Sequence, residues 1–201
     1  ARMERGDYTL LEMPHRVHNR PLPEVTLADM RKELRLGNKG IFSQALMQRM
    51  DDCIRAGRQM MLFINRRGFS RVVSCRSCGK PIECPHCDVA LTEHLRDKLV
   101  CHYCGYTKAM PRSCPLCGSP YLAGFGLGTQ KAEMMIKAQF PSARVLRMDM
   151  DTTRRKHAHE EMLAAFSKGE ADILLGTQMI VKGHDYANVT LVGILAADLS
   201  L

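Results

Sequence analysis

A mainly parallel α/β sheet with helices on both faces, interrupted by a small cysteine-knuckle module, is the fold that three observations predict. Apolar segments of strand length alternate with segments of helical periodicity. Eight of the nine cysteines fall in four Cys-x-x-Cys pairs. The stretch that holds them, 72–122, has its own prolines and glycines and differs in texture from the chain on either side. With 201 residues, 45% hydrophobic and 25% charged, the chain can bury a core and suits one or two domains. No stretch approaches the roughly 18 uninterrupted apolar residues of a membrane span. The start, Ala1 to Arg5, has no apolar signal region behind it, so a soluble, intracellular protein is expected.

The elements follow in order. Residues 8–39 carry two short apolar runs, Tyr8–Met13 and Val25–Met30, which read as strand-like segments between loops. From Ile41 to Gly57 apolar residues recur at three-and-four spacing, predicting a helix with Ser43 near its start and Gly57 at its end. Met60–Ile64 reads as a buried strand running into the polar turn Asn65-Arg66-Arg67-Gly68. After the module, helices fit 129–140 and 154–168, and strands fit 144–148, 172–176 and 189–195. One α/β domain, 24–71 plus 123–201, thus surrounds the insertion at 72–122. The lone Cys53 lies on the first helical pattern, where it reads as a small buried apolar side chain.

In the module two residues separate the cysteines of each pair, so one tight turn offers two sulfurs to one ion. Glycine follows the second cysteine at Gly79, Gly105 and Gly118, and proline follows the first at Pro85 and Pro115. Four such pairs predict two tetrahedral Zn²⁺ sites. They can combine sequentially, interleaved or nested. Only five residues separate the first two pairs, whereas the thirteen from Asp88 to Val100 read as two strands around a turn. These lengths favour nesting: Cys75, Cys78, Cys114 and Cys117 around one zinc, and Cys84, Cys87, Cys101 and Cys104 around the other. Eight cysteine ligands leave no open coordination position, so both sites are expected to be structural. A dithiol redox role needs fewer cysteines. His86 and His102 lie inside knuckles and are expected to be exposed bystanders.

The formal charge of +8 hints at an acidic partner, but eight thiolates and two zinc ions would lower it by about four. The basic residues are scattered, with clusters only at Arg66-Arg67 and Arg154-Arg155-Lys156. Gly124-Phe-Gly126-Leu-Gly128-Thr129 looks superficially like a phosphate loop but lacks a Gly-Lys-Ser/Thr ending, and it reads as a return from the module. Thr177–Asp185 follows a strand at the carboxyl edge of the sheet, where α/β folds place ligands; its glycine, hydroxyl and lysine suit phosphates of a nucleotide or of DNA. Tyr103, Tyr106, Tyr121 and Phe125 are available for base stacking, although such residues more often pack in small cores.

Taken together, Leu62-Phe-Ile-Asn-Arg-Arg-Gly-Phe69, the four knuckles, Gly126-Leu-Gly-Thr129, Arg147-Met-Asp-Met-Asp-Thr-Thr153 and Gly176-Thr-Gln-Met-Ile-Val-Lys-Gly-His-Asp185 resemble the PriA family of bacterial replication-restart helicases over nearly the whole chain. The resemblance implies a superfamily 2 helicase that unwinds DNA 3′ to 5′ with ATP and Mg²⁺, recognises stalled forks and initiates primosome assembly. Its partners would be forked and single-stranded DNA, primosome proteins and single-stranded DNA-binding protein, in the bacterial cytoplasm at the nucleoid. This chain would be the RecA-like second motor lobe, with the module inserted and 1–23 linking from the preceding lobe. Thr177, Gln178, Lys182 and Asp185 align with motif V, and Asn65, Arg66 and Arg67 with the motif IV region, as candidate DNA or nucleotide contacts. The nested cysteine pairing is also the one the family implies.

A Gly-x-x-x-x-Gly-Lys-Ser/Thr loop and an Asp-Glu box are missing from the sequence, and it stops before a motif VI. It therefore reads as an excised part with no catalytic residues of its own, expected not to hydrolyse ATP alone. The competing reading is a non-motor zinc-ribbon module that binds DNA or protein, which leaves the α/β half unexplained.

Overall fold

The computed structural model describes residues 21–64, 72–94, 98–124, 128–180 and 185–197. The expected strand at Tyr8–Met13 lies outside them. The other apolar run, Val25–Met30, forms no strand. Residues 21–29 have no regular structure, and helix α1 spans Met30–Arg35. Asp29 caps it by accepting the Arg31 N–H at 2.9 Å, and its carboxylate also holds the Arg31 guanidinium. A helix this short buries one residue, Leu34, too few for a period to show in the sequence.

Helix α2 spans Gln44–Arg55, with the Ser43 hydroxyl accepting the Leu46 N–H at 3.1 Å. It begins three residues after the expected Ile41. Ile41 and Phe42 precede the cap and pack into the core from a bend. Strand β1 follows at Gln59–Ile64. The module supplies β2 (Val73–Cys75), β3 (Thr92–His94), β4 (Lys98–Val100), β5 (Thr107–Ala109) and β6 (Leu122–Gly124). The chain then builds α3 (Thr129–Gln139), β7 (Val145–Met148), α4 (Ala158–Ser167), β8 (Ile173–Gly176) and β9 (Val189–Leu195). Helix α4 starts four residues later than the spacing predicted. Asp149 and the threonines after it fold back as a turn, with the Asp149 side chain accepting the amides of Asp151 and Thr152.

Four strands form one parallel sheet in the order β7-β8-β1-β9. Segments from both sides of the module therefore meet in it, and β1 lies between two strands that come more than a hundred residues later. Strand alternation sends Met60, Leu62, Ile64, Ile173 and Leu175 to one face, where they join Met50 and Cys53 of α2 and Ala132 and Ile136 of α3. Leu174, with the half-buried Met61 and Phe63, faces the other way, against Phe166 of α4 and Ile180. Among the described residues, α2 and α3 thus cover one face and α4 the other. None of the helices among the described residues is long and apolar enough to cross a membrane.

The module leaves and re-enters this unit through neighbouring strands. β2 and β6 pair antiparallel, with Cys75 opposite Leu122. Beyond them β3, β4 and β5 make a three-stranded antiparallel ribbon. The strands expected between Asp88 and Val100 are β3 and β4; β5 and the β2/β6 stem carried no sequence signal.

Candidate metal centres

All four knuckles share one backbone plan. The amide after the second cysteine donates to the carbonyl of the first: Gly79 to Cys75 at 2.8 Å, Asp88 to Cys84 at 3.2 Å, Gly105 to Cys101 at 2.9 Å and Gly118 to Cys114 at 2.9 Å. The first cysteine's own amide donates one residue further, to Lys80, Val89, Tyr106 and Ser119 in turn. This turn requires a left-handed residue after the second cysteine. Glycine supplies it three times, with φ of 78°, 75° and 70°, and Asp88 takes the same place at φ 50°, as an aspartate tolerates.

The knuckles meet in two groups. Sulfurs of Cys75, Cys78, Cys114 and Cys117 lie within 4.8 Å of one another, and so do those of Cys84, Cys87, Cys101 and Cys104. The first and fourth knuckles therefore come together around the second and third, the nested arrangement. All nine cysteines are free. The shortest approaches, Cys75 to Cys117 and Cys84 to Cys104 at 3.6 Å and Cys78 to Cys114 at 3.8 Å, are far longer than a disulfide. They match the roughly 3.8 Å edge of a tetrahedron of sulfurs about 2.3 Å from a central zinc. The donor set and its spacing thus fit a Zn²⁺ in each group.

The electrostatics of the sulfurs point the same way. In the second group Cys101 is lowered to about 7, chiefly by the Cys104 amide. Cys87 is pushed up to about 12, first by its hydrogen bond with Cys104 and then by burial. Four sulfurs this close cannot all ionise alone, and a dication removes the conflict by binding all four as thiolates. Each group has two buried sulfurs and one exposed, Cys117 in the first and Cys104 in the second.

His86 and His102 are exposed and turned to rings instead: His86 meets Tyr106 edge-on with centroids 5.3 Å apart, and His102 lies 5.2 Å from His94. Tyr106 packs into the ribbon's core, whereas Tyr103 stands 86% exposed. Phe125 lies outside the described residues.

Of the other candidate contacts, Thr177 and Gln178 follow β8 at the carboxyl edge of the parallel sheet. Thr177 is half-buried after β8, Gln178 is exposed on the short turn Gln178–Ile180, and Asp185 is exposed. Lys182, Asn65, Arg66 and Arg67 lie outside the described residues. Phe63 is opposite Gly176, so β1 and β8 end side by side at the same edge. Gly176 is required there: a Cβ would sit 2.6 Å from Ile180 Cγ2 and 2.7 Å from the Met148 carbonyl. Thr129 does more than end a return from the module. Buried Thr129 opens α3 and donates to the Asp149 carboxylate, which also pairs with Arg147 at 3.1 Å; Arg147 reaches Glu133 at 3.0 Å. Sequence reasoning noticed Arg147 and Asp149 only as part of a family-like run, and the Arg76 and Ser77 contacts described below had no signal.

A parallel α/β sheet interrupted by a module with two four-cysteine clusters defines the class of protein. Within it, residues 84–108, which hold the second cluster, match the family described as the PriA DNA helicase Cys-rich region (CRR) domain. The chain is 53% identical to replication restart protein PriA of Bacillus subtilis over its full length and 25% of the relative's. It is 52% identical to the Synechocystis protein of that name, over 94% of this chain and 23% of the relative, and 40% identical to the Chlamydia trachomatis one, over 96% and 26%. The chain belongs to the PriA family, and it spans about a quarter of the length of these curated relatives.

Proposed function

We propose that this chain is the second, RecA-like motor lobe (24–71 with 123–201) of an ATP-dependent 3′-5′ DNA helicase of replication restart, with a zinc module inserted at 72–122. The observation that carries the reading is 53% identity along the whole chain to a replication restart protein. Cys75, Cys78, Cys114 and Cys117 hold one structural Zn²⁺, and Cys84, Cys87, Cys101 and Cys104 hold the other. The ions supply rigidity; the knuckle amides and the cysteine spacing orient the sulfurs.

In this reading Thr177, Gln178, Lys182 and Asp185, with Asn65, Arg66 and Arg67, contact DNA phosphates or nucleotide at the sheet's carboxyl edge. ATP and Mg²⁺ are used by the intact enzyme. Its substrate is forked or single-stranded DNA in the cytoplasm at the nucleoid, and its partners are primosome proteins and single-stranded DNA-binding protein. Exposed Tyr103 on a knuckle tip suits a base or a partner's apolar group.

Elemental analysis of the freshly reduced chain, beside an ATPase assay with and without single-stranded DNA, tests this. Two zinc ions per chain and no hydrolysis are expected. One zinc or none would break the two-site reading, and DNA-stimulated hydrolysis would break the assignment of the chain as a lone second lobe.

A further inference from the structure

Between the ligands Cys75 and Cys78 stands a side chain that the metal site does not need. The Arg76 guanidinium donates from Nη1 to the Lys39 carbonyl at 2.7 Å and from Nη2 to the Gly40 carbonyl at 2.8 Å. Among the described residues, backbone amides leave both carbonyls unpaired. A planar fork with two N–H groups suits two successive carbonyls, and the charge strengthens both bonds. The Arg76 amide donates to the Tyr121 carbonyl at 2.9 Å, and the Lys39 ammonium lies 5.6 Å over the Tyr121 ring. Ser77 and Ser119 share a hydrogen bond of 2.7 Å between the first and fourth knuckles. Arg76 of the first knuckle and Tyr121, just past the fourth, thus hold residues 39 and 40 together.

The gripped loop leads straight into the α/β core. The Asn38 side chain donates to Glu33 at 2.7 Å and to the Phe42 carbonyl at 2.8 Å, and it accepts the Gly40 amide at 2.9 Å. The Glu33 carboxylate also accepts the Gln44 amide, at the first turn of α2. From the second cluster, by contrast, side-chain hydrogen bonds to the α/β unit are absent among the described residues.

We infer that Arg76 is a positioning residue that makes the first cysteine cluster, and not the second, the anchor of the module on the α/β unit. Metal on Cys75, Cys78, Cys114 and Cys117 sets the knuckle that carries Arg76, and Arg76 sets the loop 38–43 at the start of α2. The second cluster stiffens a ribbon that extends from this anchor. The inference rests on reading the first cluster as a metal site, and its test separates the two.

Amide hydrogen exchange is followed in the zinc-loaded 201-residue chain, with zinc content measured for every sample. Arg76→Ala is expected to keep both zinc ions and to speed exchange at Gly40 and Gln44 by roughly tenfold, equivalent to about 1.4 kcal/mol. Arg76→Lys should restore little, because a point charge does not span two carbonyls. The pair Cys78→Ser and Cys117→Ser should loosen the same amides, and Cys87→Ser with Cys104→Ser should leave them as in the wild type. Unchanged exchange in Arg76→Ala, loss of zinc from it, or equal loosening from the second cluster would each overturn the anchor. A wild-type chain that lacks zinc at the first cluster, yet protects the loop in an Arg76-dependent way, would refute the metal reading and the coupling while leaving the Arg76 contact itself in place.

Discussion

The α/β unit and the cysteine module solve the same problem with different means. The unit buries Met50, Met60, Leu62, Ile136, Ile173 and Leu175 on one face of its sheet and Phe166, Leu174 and Ile180 on the other. The apolar core of the module is Val73, Ile82, Leu91 and Leu99, and two prospective ligands, Cys84 and Cys101, complete it. Its strands are three residues long. Burial alone seldom holds a domain that small, and a structural metal is one of the usual remedies. The lesson is that stability in this chain has two sources that can be removed separately.

The largest effect expected is on that separation. A structural zinc contributes on the order of 10–16 kcal/mol, as much as or more than a whole domain's usual stability. Chelation should therefore abolish exchange protection through the knuckles while the amides of β1 and β8 stay protected. Collapse of both together would show that the two regions fold as one. The converse probe is a core truncation: Leu62→Ala or Leu175→Ala should cost about 2–5 kcal/mol in urea unfolding of the sheet and leave the zinc content at two.

A smaller effect sits where the module rejoins the sheet. Burial raises the Asp149 carboxyl, but the Thr129 hydroxyl, the Thr152 amide, Arg147 and the Asp151 amide outweigh it, and the net shift is downward. A carboxylate held below its ordinary 3.8 adds stability that is fully present above that value. The contribution is lost as pH falls through the lowered value. Asp149→Asn should cost about 1–3 kcal/mol at neutral pH, and urea midpoints of mutant and wild type should converge on acidification below about pH 4. Divergence in acid would reverse the sign and remove Asp149 from the junction. The smallest effect is at Tyr103. With 86% of it exposed, Tyr103→Ala should change stability by no more than about 0.5 kcal/mol and leave both zinc ions bound, whatever it does to DNA binding. A larger loss would mean that the knuckle tip supports the module.

The elements that could be read in sequence were those whose pattern repeats often enough to be seen. Helix α2 repeats its three-and-four apolar spacing over several turns, and strands β1, β8 and β9 are made mostly of apolar residues, all packed on one core. Helix α1 buries only Leu34, β2 and β6 take their partners from each other across the whole module, and β5 is three residues long with no buried side chain, so nothing local announces them. The clusters divide likewise. Cys-x-x-Cys spacing makes each knuckle legible, since one turn determines where its two sulfurs point. Arg76 and Ser77, in the places between ligands that the Cys-x-x-Cys spacing leaves open, were invisible because their partners, Lys39, Gly40 and Ser119, lie 36 to 42 residues away.

By itself the amino-acid order determined the chemistry of the knuckles and the alternation of strands and helices, because both depend on neighbours within a turn or two of the backbone. Tertiary structure decided that β1 lies between β8 and β9, that the first knuckle closes on the fourth, and that Arg76 reaches back to the loop before α2. Each of these joins groups whose separation along the chain sets only the length of the closing loop, while burial and hydrogen bonding in three dimensions choose the partner.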